Sequence, residues 1–74
     1  SRKTLTLGIQ HFSKAELEAV RKAGQKLQVR VLGLASIAPD VTPALALASI
    51  DSITVLGTLH ASPAVKAALL KRSR

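Results

Sequence analysis

Apolar and polar side chains alternate in three short segments of the chain, at residues 4–7, 28–32 and 52–56. A period of two residues with Val, Ile and Thr is typical of β-strands that are buried on one face. The pattern predicts that equivalent residues of the three strands point inward and form one aliphatic ladder. These residues are Leu5, Leu7, Val29, Val31, Ile53 and Val55.

Helical signals follow the first strand. Ser13 and Glu16 have the spacing of a capping box, in which the serine hydroxyl accepts from the Glu16 N–H and the glutamate accepts from the serine N–H. Phe12 and Leu17 flank this box at the positions of a hydrophobic staple. Gly24 is of the residue type that commonly follows a helix C-terminus. A helix is therefore predicted between Ser13 and Gly24.

Two further helices are predicted. Ser62 and Pro63 favour a third helix, because serine caps the first N–H groups and proline fits the first helical position without losing a hydrogen bond. The middle segment is less regular, and its helix is predicted to run from Pro39 or Val41 to Ala48. Each predicted strand is thus followed by a predicted helix.

A glycine after each strand marks an internal repeat. Gly8, Gly33 and Gly57 are separated by 25 and 24 residues, and the last two end the same Val-Leu-Gly motif. Self-similarity at a fixed period is the signature of stacked repeats. We expect a single domain over residues 1–74 with repeats at approximately 4–26, 27–50 and 51–72, and with basic tails at 1–3 and 71–74.

The repeated strand–helix order requires right-handed parallel crossovers. It predicts an α/β fold, a short solenoid of three βα repeats whose three-stranded parallel sheet carries helices on one side. The alternative is a compact three-stranded α/β layer fold without superhelical regularity, which has the same local elements.

The period lies in the range of leucine-rich repeats. The segment Ile50-x-x-Ile53-x-Val55 resembles the start of that family's L-x-x-L-x-L pattern. Thr58 stands where the family has Asn or Cys, and His60 replaces the next apolar residue. The resemblance therefore implies the coil geometry alone and assigns no functional residue.

Three parallel strands leave two open edges, and open edges pair readily with other strands. The last repeat has Lys66 as its only charge between Ile53 and Leu70, so it lacks the polar cap that ends a finished solenoid. The leading functional hypothesis is a self-association or scaffold module that assembles head-to-tail into an oligomer or a filament. The edge residues predicted to carry this association are Leu5, Leu7, Ile53, Val55 and Leu59.

Composition adds a strong positive charge, because eleven Lys and Arg against four Asp and Glu give a net charge of +7. The alternative hypothesis is an electrostatic module that binds nucleic acid or an anionic membrane. Base-stacking aromatic residues are scarce, since Phe12 is the only aromatic side chain. The predicted basic surface consists of Arg21, Lys22, Lys26, Arg30, Lys71, Arg72 and Arg74.

His11 and His60 each follow a glycine by three residues. Two strand spacings of about 4.8 Å would put them roughly 10 Å apart, too far to share a zinc ion within one molecule. An inter-subunit histidine pair is the functional alternative, and solvent-exposed histidines near the strand ends are the interpretation that we favour. No metal or other cofactor is expected.

Catalysis is not expected either. The chain has no Cys, and Ser13, Ser36 and Ser62 are better explained as capping and turn residues than as nucleophiles. The glycines form no phosphate-binding loop. The expected partners are a second copy or adjacent repeats of a longer chain, with nucleic acid or anionic lipid as the alternative and no small-molecule substrate.

The ends of the sequence and its apolar stretch bear on location. The chain begins without Met and has no apolar run placed like a signal peptide, which indicates a piece of a longer protein. Prolines and aspartates interrupt the weakly charged stretch at 31–65, so no membrane-spanning helix is expected. A cytoplasmic location is the default expectation.

Overall fold

A computed structural model describes residues 2–73, and it shows three strand–helix units in succession. The elements are β1 (Arg2–Phe12), α1 (Lys14–Lys22), β2 (Leu27–Ile37), α2 (Pro43–Ser49), β3 (Ile50–His60), α3 (Pro63–Leu69) and a final 3₁₀ turn, η1 (Leu70–Arg72). The predicted α/β class and the predicted order of elements are confirmed. Each strand is longer than predicted, because the repeated glycine lies inside the strand rather than at its end.

The three strands form one parallel sheet in the order β1-β2-β3. The register aligns Gly8 with Gly33 and Gly33 with Gly57, so the repeat of the sequence is the strand register of the sheet. In the helix layer, α2 lies between α1 and α3 and contacts both. The three-stranded parallel sheet and the three helices are thus confirmed, whereas a regular solenoid coil is not.

Side-chain caps fix where the first and third helices begin. Ser13 Oγ accepts from the Glu16 N–H at 3.1 Å, and Glu16 Oε1 accepts from the Ser13 N–H at 3.4 Å, which confirms the predicted capping box. In α3, Ser62 Oγ accepts from the Val65 N–H at 3.2 Å. None of the helices in residues 2–73 has the length and apolar character needed to cross a membrane.

The middle helix begins later than predicted. α2 starts at Pro43, because Thr42 Oγ1 accepts from the Leu45 N–H at 3.1 Å and the proline occupies the first helical position. The same order of a capping hydroxyl and a proline starts α3. Pro39, predicted as one of two starting points, lies in a turn before the helix.

The hydrophobic core lies between the sheet and the helix layer. Alternate residues of β2 point into it, and Val29 and Val31 are each 1% exposed. Other strands and helices contribute the remaining buried side chains, which include Phe12, Leu17, Leu45, Ile53, Val65 and Leu69. The aliphatic ladder predicted for β2 and β3 therefore holds at Val29, Val31 and Ile53.

Leu5 and Leu7 do not belong to this core, contrary to the sequence prediction. They are 69% and 73% exposed, and Thr4 and Thr6 take the inward positions of β1 instead. The reason is the strand register, which relates β1 to β2 by 25 residues and β2 to β3 by 24 over most of their length. An offset of 24 applied to β1 places its side chains on the wrong face of the sheet.

The side of the sheet away from the helices, which we term the open face, carries Leu5 and Leu7. Its residues form five rows across the three strands. From the strand starts onward, the rows are Lys3–Gln28–Ser52, Leu5–Arg30–Thr54, Leu7–Leu32–Leu56, Ile9–Leu34–Thr58 and His11–Ser36–His60. The central row is apolar, and the first and last rows are polar.

The glycine row lets the strands approach closely on the helix side of the sheet. Gly33 and Gly57 have φ angles of +133° and +142°, in a region that L side chains rarely adopt. A Cβ on Gly33 would overlap the backbone carbonyl oxygen of Gly8, and a Cβ on Gly57 would overlap that of Gly33. Positions 33 and 57 therefore have no space for a side chain.

Thr4→Val is expected to stabilise the fold by about 1 kcal/mol. Thr4 Oγ1 is buried and has no hydrogen-bond partner among the described residues, and valine keeps the shape while it removes the uncompensated polar atom. Urea unfolding would measure the change. Thr6→Val is the control, because Thr6 Oγ1 donates to Gln10 Oε1 at 2.8 Å and its loss brings no such gain. Equal stabilisation by both variants would contradict this explanation.

Candidate nucleic-acid interface

The parallel topology collects positive charge at one end of the molecule. In a βα unit the helix runs back against its strand, so the strand starts and the helix ends lie at the same end. Most of the basic residues occur at these positions, which we term the basic end. Its described cations are Arg2, Lys3, Arg21, Lys22, Lys26, Arg30, Lys71 and Arg72.

The link between α1 and β2 is the most densely charged part of the basic end. Arg21 and Lys22 are exposed in the last turn of α1, and Lys26 directly precedes β2. The Arg2 N–H donates to the Lys26 carbonyl oxygen at 2.8 Å, which brings the start of β1 next to this link. Cations at a helix C-terminus also interact favourably with the helix dipole. These side chains thus form one continuous cationic surface.

Lys3 and Arg30 extend the basic end onto the open face. Both are exposed, and they lie in adjacent rows on neighbouring strands. Together with Gln28, Ser52 and Thr54 they line a shallow concavity of about 310 Å³. Cationic, amide and hydroxyl side chains of this kind commonly contact phosphate oxygens.

The third part of the basic end is η1. Lys71 is exposed, whereas Arg72 is half-buried with its Nη1 3.8 Å from Asp51 Oδ1. Ser73 forms a parallel bridge with Ile53, which holds this segment against β3. Lys71 is therefore better placed than Arg72 to contact an anion. Arg74, predicted as part of the basic surface, lies outside the described residues.

The remaining charges lie away from the basic end. Lys14 Nζ is 3.9 Å from Glu18 Oε1 within α1, and Glu16 takes part in the cap of the same helix. Asp40 lies in the turn before α2, and Lys66 lies in the middle of α3. The net charge of +7 is therefore unevenly distributed, and the basic end carries the excess.

The structure adds Arg2 and Lys3 to the basic surface predicted from the sequence. Both were assigned to a terminal tail, but they lie in β1 and are in register with β2. The alternation that predicts a strand from Thr4 onward does not extend through two consecutive charged residues. Only the pairing of β1 with β2 brings them beside Lys26, and no sequence signal reports that pairing.

His11, Ser36 and His60 form the last row of the open face. His11 Nδ1 and Ser36 Oγ are 2.6 Å apart in a hydrogen bond whose donor depends on the histidine tautomer. Both histidines are exposed. Within residues 2–73 no group of three or more His, Cys, Asp or Glu side chains could hold a metal ion. An inter-subunit pair of His11 and His60 stays a prediction.

β1 and β3 are the edge strands of the sheet, as the sequence predicted. Beside β3, the side chains of Ile53, Val55 and Leu59 line an apolar groove of about 630 Å³ between the strand and α3. The association role assigned to these three residues and to Leu5 and Leu7 stays a prediction.

Comparison with known proteins assigns the chain to a family. A family model described as the ribbon-helix-helix transcriptional regulator family matches residues 1–66, which is most of the 74-residue chain. The chain belongs to this family. Comparisons with curated proteins and with solved structures find no match.

Membership of the ribbon-helix-helix transcriptional regulator family corrects two interpretations of the sequence. The resemblance to leucine-rich repeats is wrong, because the match over residues 1–66 is to a different family. The head-to-tail scaffold or filament is wrong as the leading function, because transcriptional regulation indicates DNA binding. The alternative hypothesis of nucleic-acid binding is the one that the family supports.

The order of elements in the structure differs from the order in the family's name. The name gives a ribbon followed by two helices, whereas β2 separates α1 from α2 in this chain. The basic end, rather than a transferred family pattern, therefore locates the candidate DNA contacts.

Proposed function

We propose that this protein is a DNA-binding transcriptional regulator whose basic end contacts the phosphate backbone. One observation carries the proposal, namely that all described cations except Lys14 and Lys66 lie at one end, where Asp51 is the only acidic residue described. The family of the chain supports the same function. Phosphate and sugar contacts provide half to two-thirds of the hydrogen bonds in protein–DNA interfaces, and Lys and Arg are prominent donors.

The α1–β2 link is the part of the basic end that we expect to lie closest to the DNA. Arg21 and Lys22 are exposed and adjacent in sequence, and Arg2 and Lys26 are joined by a backbone hydrogen bond. The longest extent of the molecule is 28 Å, which is shorter than one turn of B-DNA, about 34 Å. A single copy therefore reaches a short stretch of backbone, with about three to five phosphate contacts.

The salt dependence of binding to a DNA duplex tests the proposal. Fluorescence anisotropy of a labelled duplex would give the observed association constant at salt concentrations between about 50 and 200 mM. We expect the logarithm of this constant to fall linearly with the logarithm of salt concentration, with a slope of about −3 to −5, because each neutralised phosphate contributes about −0.9. Competition between one duplex and a random-sequence pool would then measure the discrimination that a regulator needs.

Two results would contradict DNA binding by the basic end. One is the absence of binding at about 50 mM salt, and the other is binding with a slope near zero. Vesicles that contain phosphatidylserine provide the comparison, since a basic surface also attracts anionic lipid. Binding to these vesicles without binding to DNA would assign the basic end to a membrane surface instead.

A further inference from the structure

The open face is an apolar surface that nothing in the described part of the chain covers. Leu7, Leu56 and Leu32 of its central row are 73%, 65% and 44% exposed. Parallel sheets almost always have both faces covered, because their strands bury apolar side chains on both sides. A contiguous exposed apolar patch on a small protein marks an interaction site.

We propose that a second copy of this chain covers the open face, so that two sheets pack face to face in a closed dimer. The proposal goes beyond DNA binding and does not depend on it. A closed two-fold contact uses the same face of both copies and stops at two. It is therefore a different assembly from a head-to-tail filament, which would grow through the strand edges.

The order of rows on the open face makes it complementary to itself. Leu7–Leu32–Leu56 is the third of five rows, and the flanking rows bring Leu5 and Ile9 to equal distances on either side of Leu7 in β1. A two-fold axis along the central row places Leu7 of one copy over Leu7 of the other. It also places Leu5 of each copy over Ile9 of the other. The apolar residues of β1 thus cover one another without a gap in the pattern.

Charge favours this direction of the two-fold axis over the other. An axis parallel to the strands would superimpose β2 on β2 in the same direction and bring Arg30 against Arg30 of the second copy. The axis along the central row reverses the strands, so that Arg30 meets Leu34 beside the polar first row. A long arginine side chain there can keep its charged group in water. The open face contains no acidic residue, so repulsion between cations decides the direction.

The area of the face is close to what a specific dimer needs. Three strands of 11 residues each, spaced about 4.8 Å apart with a rise of about 3.3 Å per residue, outline roughly 500 Å² on each copy. Two copies would bury about 1,000 Å² in total, which is the lower limit for a specific interface. We therefore expect a reversible dimer with a dissociation constant in the micromolar range.

Sedimentation velocity without DNA tests the dimer directly. Between about 1 and 300 µM of the full chain we expect the 7.8 kDa species to be replaced by one of twice that mass, with nothing larger. A monomer at every concentration, or a series of growing oligomers, would overturn the proposal. Because DNA is absent, failure of this test and failure of DNA binding are independent results.

Two lysine substitutions separate the open face from the strand edge. Leu7→Lys is expected to raise the dissociation constant at least about 100-fold, because two central-row charges would meet across the interface. Leu70→Lys is the matched control, since Leu70 is 75% exposed in η1 and lines the groove beside β3. Circular dichroism should show both variants folded, because both side chains are exposed. If Leu70→Lys abolishes the dimer and Leu7→Lys does not, the open face is not the interface.

A pair of opposite charges tests the direction of the strands. Leu5→Lys and Ile9→Asp are each expected to weaken the dimer at least about 10-fold. The double variant should recover most of the affinity, because each lysine would then face an aspartate of the other copy. Within one copy the two positions are about 13 Å apart along the strand, so an internal ion pair does not explain recovery. A double variant no better than the single variants would exclude the reversed arrangement.

Discussion

Gly57→Ala is expected to leave the protein without a cooperative folded state at 25 °C. A Cβ at this position would overlap the carbonyl oxygen of Gly33, and the backbone φ is +142°. The strained φ costs about 1–3 kcal/mol by itself. The overlap is with backbone atoms of a paired strand, so relief requires the strands to separate and brings the total above about 4 kcal/mol. A domain of this size has roughly 4–11 kcal/mol in all. Thermal melting followed by circular dichroism would measure the loss.

Gly8→Ala is the matched control for this prediction. Gly8 has a φ of +115°, but a Cβ there would have nothing within 4 Å. Its cost is therefore the backbone strain alone, about 1–3 kcal/mol. The difference between the two variants isolates the contact between the strands. Melting of Gly57→Ala within a few degrees of Gly8→Ala would show that the close approach in the glycine row does not constrain the fold.

Replacing Arg21 and Lys22 together by glutamine is expected to weaken DNA binding by roughly 10- to 100-fold, because two charge-assisted contacts to phosphate are lost. The salt slope should become less steep by about 2 units, and all duplex sequences should be affected alike. Fluorescence anisotropy at several salt concentrations would measure both effects. The fold should not change, since both side chains are exposed at the end of α1.

The control for this prediction removes the same charge from another part of the molecule. Lys14→Gln with Lys66→Gln lowers the net charge by the same amount, but neither residue lies at the basic end. We expect a small decrease in affinity and little change of the salt slope. Equal losses for the two double variants would mean that net charge rather than the basic end governs binding.

The helix starts were largely predictable because capping acts over a few residues. Ser13 with Glu16, and Ser62 with Pro63, contain all the atoms of their caps within a single turn. The start of α2 has the same chemistry in Thr42 and Pro43. It was misplaced because Pro39 supplied a competing signal four residues earlier, and sequence alone does not show which proline follows the capping hydroxyl in space.

The face assignment of β1 failed because strand register is a tertiary property. Leu5 and Leu7 alternate with polar residues, and apolar alternation ordinarily indicates burial. Which face is covered depends on where the helices lie, and β1 is shifted by one residue relative to the spacing of β2 and β3. A shift of one residue exchanges the two faces of a strand. The open face could therefore not be recognised from the sequence.

The basic end shows a similar division between composition and topology. The net charge of +7 indicates a nucleic-acid or membrane partner, but the cations are scattered along the chain from Arg2 to Arg72. Parallel βα topology brings them together, because strand starts and helix ends share one end of the fold. Family membership was then needed to favour DNA over a filament, since composition and repeats supported both.

The central position of β2 has a consequence for the order of folding. β2 belongs to both strand–helix–strand units of the fold, and its pairings with β1 and β3 span 25 and 24 residues. Loop-closure entropy depends only weakly on length, so neither unit gains a kinetic advantage from its connection. During synthesis, however, the first unit is complete at Ile37, before any residue of β3 has been made. On the ribosome the sheet would therefore grow from β1 towards β3, whereas a refolding chain can nucleate on either side of β2.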